Sequence, residues 1–259
     1  MTGLGRPLQV TDPSGKMFVL IKDQAAQIPV AFGLLASRAP HKVVLRVSGG
    51  CKGMGAQDKI QMLEFFSDAL DGYRGMIWSG GTRQLDADGQ IDPMVTDVPS
   101  LLARRNPDCV ALGSCPRTNL LRLQGDSQLS LDDWGTRPNP GLAALLIVQD
   151  GAEGNLDWDG DLNDAFSFMT SLRAYGGFSQ AGLIAWNGGP VTQKEIVRSA
   201  GLGWPTFLVK GSGRVADEIV ARIESGDAEY QNQFRSVVII NKNDPKGFRE
   251  SLREQNFLV

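Results

Sequence analysis

Two side chains in this sequence stand where chemistry on an anionic ligand needs them. Arg214 directly follows Gly211-Ser212-Gly213 and opens a helix-like segment. A guanidinium placed there can clamp a phosphate with two parallel hydrogen bonds. An arginine at the positive end of a helix dipole is slightly unfavourable by itself, so the position points to an anion more than to simple pairing with Asp217 or Glu218. Asp217 has two readings: contact with a ribose hydroxyl, or a carboxylate stabilised by the first helical turn. Glu195 has three. With Thr192 it fits a capping box, the favoured reading. It could assist an oxocarbenium-like cleavage of an N-glycosidic bond, as paired carboxylates do in glycosidases. Or it could contact a ligand without chemistry.

Four glycine turns supply the rest of the candidate site. They are Ser48-Gly49-Gly50, Ser79-Gly80-Gly81-Thr82 (with Arg83 following), Asn187-Gly188-Gly189-Pro190 and Gly211-Ser212-Gly213. Each ends a short apolar run and precedes a helix-like segment. Glycine lets the backbone approach an anion, and a helix start offers unpaired N–H groups. The chain carries 31 glycines in 259 residues, well above the roughly 7% usual, and they gather at strand ends. The expected ligand is phosphate-bearing and nucleotide-derived, with no further cofactor and no metal required. Asp157-Trp158-Asp159-Gly160-Asp161 faintly resembles a calcium loop but lacks the closing glutamate, since position 168 is Phe, so a solvated acidic turn is favoured. Arg173 reads as a surface arginine. Trp78 and Trp186 end strands beside glycine turns, so either could stack on a base, with core packing the default for both.

The elements that must position these residues follow from periodicity. Strands are expected at Met17–Lys22, Lys42–Val47, Gly75–Trp78, Asp108–Leu112, Leu142–Gln149, Gly182–Trp186, Thr206–Lys210 and Ser236–Asn241. Helices are expected near Ala25–Ala36, at Gln57–Leu70, at Pro93–Arg105 with Asp92 as N-cap, after an acidic turn from Asp150 to Asp161 up to Tyr175, and at Thr192–Ala200, Arg214–Ile223 and Pro245–Glu254. Strand and helix alternate, which predicts one α/β domain over residues 1–259, with a mostly parallel sheet and helices on both faces. Residues 113–141 break the alternation and are expected to form an insertion or flap beside the site. In open sheets of this kind ligands sit at the carboxyl ends of the strands, where the glycine turns lie.

Composition narrows the function classes. A net charge of -3 gives no global attraction for nucleic acid or anionic membrane. The longest apolar run, Leu142–Val148, falls far short of the roughly 20 residues of a membrane helix. The cysteines Cys51, Cys109 and Cys115 lack metal spacing, and with no secretory signal they read as reduced thiols of a cytoplasmic protein. His41, the single histidine, is a poor basis for nucleophilic catalysis.

Pro205–Val220, P-T-F-L-V-K-G-S-G-R-V-A-D-E-I-V, resembles the ligand-sensing N-terminal region of the melastatin-type TRP cation channels, where a strand runs into G-S-G-R-x-A-D. Val43–Gly50 (V-V-L-R-V-S-G-G), Met76–Thr82 (M-I-W-S-G-G-T), Leu145–Gly151 and Ile184–Thr192 fall into the same order. The chain is thereby identified as resembling the SLOG superfamily, Rossmann-like in fold and similar to the LOG phosphoribohydrolases. Gly188–Glu195 resembles the G-G-x-G-T-x-x-E stretch of those hydrolases, whose glutamate is catalytic, although Val191 replaces the last glycine. The resemblance implies a sensor that binds ADP-ribose, cyclic ADP-ribose or an NAD-related nucleotide, more a binding domain than an enzyme. It also implies self-association and, in some members, a membrane effector partner. The alternative is a LOG-like nucleotide hydrolase using Glu195.

Overall fold

The computed structural model describes residues 8–12, 15–21, 35–85, 90–116, 122–124, 128–130, 137–139, 141–148 and 158–259. Its elements are, in chain order, β1 (Leu8–Asp12), β2 (Gly15–Ile21), β3 (Val43–Gly50), α1 (Ala56–Ala69), β4 (Met76–Gly80), β5 (Thr82–Leu85), β6 (Ile91–Asp92), α2 (Val98–Arg105), β7 (Val110–Pro116) and β8 (Arg122–Gln124). There follow β9 (Gln128–Ser130), β10 (Arg137–Pro138), β11 (Ala144–Val148), α3 (Trp158–Tyr175), β12 (Gln180–Asn187), α4 (Pro190–Gly201), β13 (Thr206–Lys210), α5 (Arg214–Glu224), α6 (Ala228–Gln233), β14 (Val237–Asn241) and α7 (Pro245–Glu254).

Nine strands form one sheet in the order β1-β2-β11-β7-β4-β3-β12-β13-β14. Only the outermost pair, β1 with β2, is antiparallel; the other neighbours are parallel. The α/β fold with a mostly parallel sheet and helices on both faces is therefore as the sequence predicts. From β3 the chain steps through β4, β7 and β11 toward one edge. From β12 it steps through β13 and β14 toward the other. Strands β3 and β12 thus lie side by side while their connections diverge, which opens a crevice beyond their carboxyl ends.

Period-two alternation along β3 decides what faces that crevice. Val43, Leu45 and Val47 pack under α1, α2 and α7 with Phe65, Phe66, Leu102 and Phe248. Val44 packs on the opposite face, under α3 with Phe166 and Met169. Arg46 and Ser48 continue that second face, so the sheet itself delivers a cation and a hydroxyl into the interior beneath α3 and α4. On the same side α4 and α5 cover Leu183, Ala185 and Leu208.

Several local expectations are corrected. The strand expected first, Met17–Lys22, is β2 and is preceded by β1 in a hairpin, and of the expected helix near Ala25–Ala36 only residues 35–38 show a helical turn, residues 22–34 lying outside the described ones. No helix starts at Pro93. Asp92 pairs with Gln84 in the β5–β6 ladder and its carboxylate meets Lys59 Nζ. The chain makes a 3₁₀ turn at Val95–Asp97 before α2, and Asp97 rather than Asp92 accepts an N–H, from Met94 at 2.8 Å. The turn at Gly80-Gly81 leads into strand β5, not a helix. Of residues 113–141, Gly113–Pro116 extend β7, β8 pairs with β9, and β10 pairs with β5; residues 117–121, 125–127, 131–136 and 140 lie outside the described ones. The acidic turn is in part helix: Trp158–Asp161 are the first turn of α3, while residues 149–157 are not described.

Candidate functional site

Gly49, Gly80 and Gly81 are needed for close packing. A Cβ on Gly49 would stand 2.1 Å from the carbonyl oxygen of Trp186, where β3 meets β12. On Gly81 it would stand 1.9 Å from Leu145 Cδ1, and on Gly80 2.5 Å from Thr96 Cγ2. The Gly81 N–H also donates to the Ser114 carbonyl at 2.8 Å, so it is not offered to an anion.

The Gly211–Gly213 turn is likewise satisfied from within. Asp217 accepts the Gly211 N–H on one oxygen at 2.6 Å and the Gly213 N–H on the other at 3.0 Å. The Ser212 N–H donates to Val209, and its hydroxyl accepts the Asn187 N–H at 2.8 Å. Asp217 therefore holds the turn's shape. Asp217→Ala strands two amide donors and is expected to cost about 1–2 kcal/mol of stability by urea denaturation; an unchanged midpoint would show that water replaces the carboxylate without loss.

What this turn presents is the Arg214 side chain. Its guanidinium spans two other turns: a Cβ on Gly189 would lie 2.8 Å from Nη2, and one on Gly50 would lie 4.0 Å from Nη1. Among the described residues no carboxylate pairs with it. Arg214 and Asn187 both adopt the left-handed region, φ 46° and 56°, a backbone cost that gathers at functional sites.

Arg214 lines the larger of two clefts and lies against Gly189, which lines the smaller. The larger, about 710 Å³, is lined by Arg214, Lys52, Lys242, Trp186, Asn187 and Gly211–Gly213 together with the acidic face of α1 at Asp58, Glu64 and Asp68. Two of its lining residues, Trp186 and Asn187, carry a buried Nε1 and a buried Oδ1 without a hydrogen-bond partner among the described residues. The smaller, about 380 Å³, lies at the divergence of β3 and β12 and is lined by Ser48, Gly49, Ser79, Gly80, Thr82, Arg83, Gly189, Pro190 and the first turn of α4. Gly50, Gly81, Gly188 and Asp217 line neither.

The floor of the smaller cleft holds a buried ionic group. Arg46 Nε donates to Glu195 Oε1 at 2.6 Å, and Arg46 Nη2 donates to Asp161 Oδ2 at 3.3 Å. Ser48 Oγ donates to the other Glu195 oxygen. Burial opposes the charge on Arg46, but the two carboxylates more than offset this and hold its pKa above the ordinary arginine value. The capping-box reading of Glu195 is thereby overturned. Gly189 is the N-cap of α4, which puts Thr192 three residues into the helix, and Glu195 points inward to Arg46. Of Asp157–Asp161, read as a solvated acidic turn, Asp159 is exposed and pairs with Lys194, but Asp161 is buried against Arg46; residue 157 lies outside the described ones. Sequence reasoning missed Arg46 and the role of Asp161. The available signal was a charged residue inside the β-branched run K-V-V-L-R-V, since charges are rarely buried unless paired.

Arg173 is exposed. Trp78 is fully buried, with its indole N–H on Ser114 Oγ at 2.9 Å, so it packs in the core. The three cysteines are free thiols, and burial pushes Cys109 up to about 12. Among the described residues no helix is long and apolar enough to cross a membrane.

No family profile matches the chain, and no curated protein does. Many solved structures match it, and two of them serve as examples. The structural-genomics protein TM1055 is 20% identical over 82% of this chain and 99% of its own, with a TM-score of 0.45. The molybdenum cofactor carrier protein from Chlamydomonas reinhardtii is 12% identical over 83% and 99%, again at 0.45. The strand order and the diverging connections at β3 and β12 define the class of this chain directly: an α/β protein of Rossmann-like form.

Proposed function

We propose that the chain is a SLOG-type domain that binds a dinucleotide-like ligand of the ADP-ribose or NAD class. The carrying observation is the Arg214 guanidinium, which lines the larger cleft and lies against the Gly189 and Gly50 turns with no carboxylate partner among the described residues. In this reading a pyrophosphate lies on Arg214 and the start of α4, where the helix dipole and free N–H groups favour negative charge. The larger cleft takes the adenosine half, with Lys52 and Lys242 at the phosphate end and Trp186 and Asn187 in the wall beside the base. The smaller cleft takes the second sugar. Binding would be relayed to a homo-oligomer or to a membrane effector.

Calorimetric titration with ADP-ribose, cyclic ADP-ribose, NAD and cyclic dinucleotides tests the reading. ADP-ribose or NAD is expected to bind and to raise the melting temperature. A well-folded protein that binds none of the four overturns it.

One observation favours a second reading, hydrolysis of an N-glycosidic bond: Glu195 and Asp161 are two carboxylates in one crevice. Against it, both Glu195 oxygens are already engaged by Arg46 and Ser48. Release of a free base from AMP, NAD or ADP-ribose, lost in Glu195→Ala with the fold intact, would favour the enzyme.

A further inference from the structure

Arg46 and Asp161 each keep one polar atom out of their ion pair. Nη1 of Arg46 and Oδ1 of Asp161 have no hydrogen-bond partner among the described residues, on side chains that are 5% and 4% exposed. Both residues line the smaller cleft. A buried donor or acceptor left unmade costs about 1–3 kcal/mol, and more when charged. A ligand group or a water that completes the pair removes that cost.

Its chemistry selects the ligand group. The two free atoms belong to a guanidinium and a carboxylate already in contact, Nη2 to Oδ2 at 3.3 Å. One is a donor and the other an acceptor. A phosphate or carboxylate satisfies Nη1 but offers nothing to Oδ1 and is repelled by Asp161 and Glu195. A metal cation satisfies Oδ1 but is repelled by Arg46. A vicinal diol satisfies both: one hydroxyl accepts from Nη1, and its neighbour donates to Oδ1. The cluster of one guanidinium and two carboxylates also carries a net negative charge, which favours a neutral donor over an anion.

We infer that Arg46 and Asp161 read the 2,3-diol of the terminal ribose, the sugar beyond the pyrophosphate. This rests on the nucleotide reading above. Ser48, which fixes Glu195, and Glu195, which fixes Arg46, are positioning residues for that contact.

The test compares ADP-ribose with ADP-2-deoxyribose, and with ADP-ribose deoxygenated at the 2-position of its adenosine ribose instead, by calorimetry on the full chain. Loss of the terminal 2-hydroxyl is expected to weaken binding about 10- to 100-fold, the loss of one hydrogen bond to a charged group. Loss of the adenosine 2-hydroxyl is expected to change it less than about threefold. Asp161→Asn is expected to collapse the preference for the terminal diol; if that variant does not fold, the wild-type ratios still decide. Equal binding of all three ligands overturns the diol contact and leaves the nucleotide reading standing, with water as the partner of the two atoms. Binding of NAD but not of ADP-ribose overturns it in favour of a carboxamide. Failure of every ligand to bind overturns both.

Discussion

Arg46→Met is expected to lower the unfolding free energy by about 3–5 kcal/mol, because it leaves two carboxylates buried without their cation. Arg46 is 4%, Asp161 2% and Glu195 2% exposed. Neither carboxylate can turn to solvent without moving a helix, since Asp161 sits in the first turn of α3 and Glu195 on the inner side of α4. The loss is read from the urea or thermal midpoint. The companion Arg46→Met/Asp161→Leu/Glu195→Leu removes all the charges together and is expected to recover most of it, since apolar replacement of a buried ionic group is often neutral or stabilising. A single variant as stable as wild type would mean that water or protonation already compensates the carboxylates, and that the network does not join β3 to α3 and α4.

Arg214→Ala is expected to weaken ADP-ribose binding by about 10- to 100-fold while moving the midpoint of unfolding little. The affinity loss is that of charge-assisted hydrogen bonds to phosphate. The fold is insensitive because the side chain is exposed and its neighbours are the glycines at 50 and 189. Arg214→Lys keeps the charge without the planar fork and is expected to recover only part of the affinity. The same affinity in Arg214→Ala as in wild type would place the phosphate elsewhere. Added salt is expected to weaken wild-type binding more than binding by Arg214→Ala, because the arginine is partly open to solvent.

Strand–helix alternation was legible because it depends on periods of two and near 3.6 residues, and these are local properties of the chain. The runs at β12, β13 and β14 and the helices α1, α4, α5 and α7 lie within a few residues of their expected bounds. Local reading failed where a neighbour in space overrode it. Asp92 looked like an N-cap before proline, but Lys59 and the β5 ladder claim it. Thr192 and Glu195 had capping-box spacing, but the helix begins earlier, at Pro190 after Gly189, and so turns Glu195 inward.

By itself the sequence determined that a mostly parallel α/β sheet forms and that its glycine turns lie at the carboxyl ends of strands, because both follow from residue type and short-range spacing. Only the tertiary structure decided what each turn does. Gly81 meets Leu145 and the Gly211–Gly213 amides meet Asp217, while Gly50 and Gly189 meet the Arg214 guanidinium. It alone also brought Arg46 to Asp161 and Glu195, partners 115 and 149 residues away along the chain. No local pattern encodes such pairs; the order of strands across the sheet does.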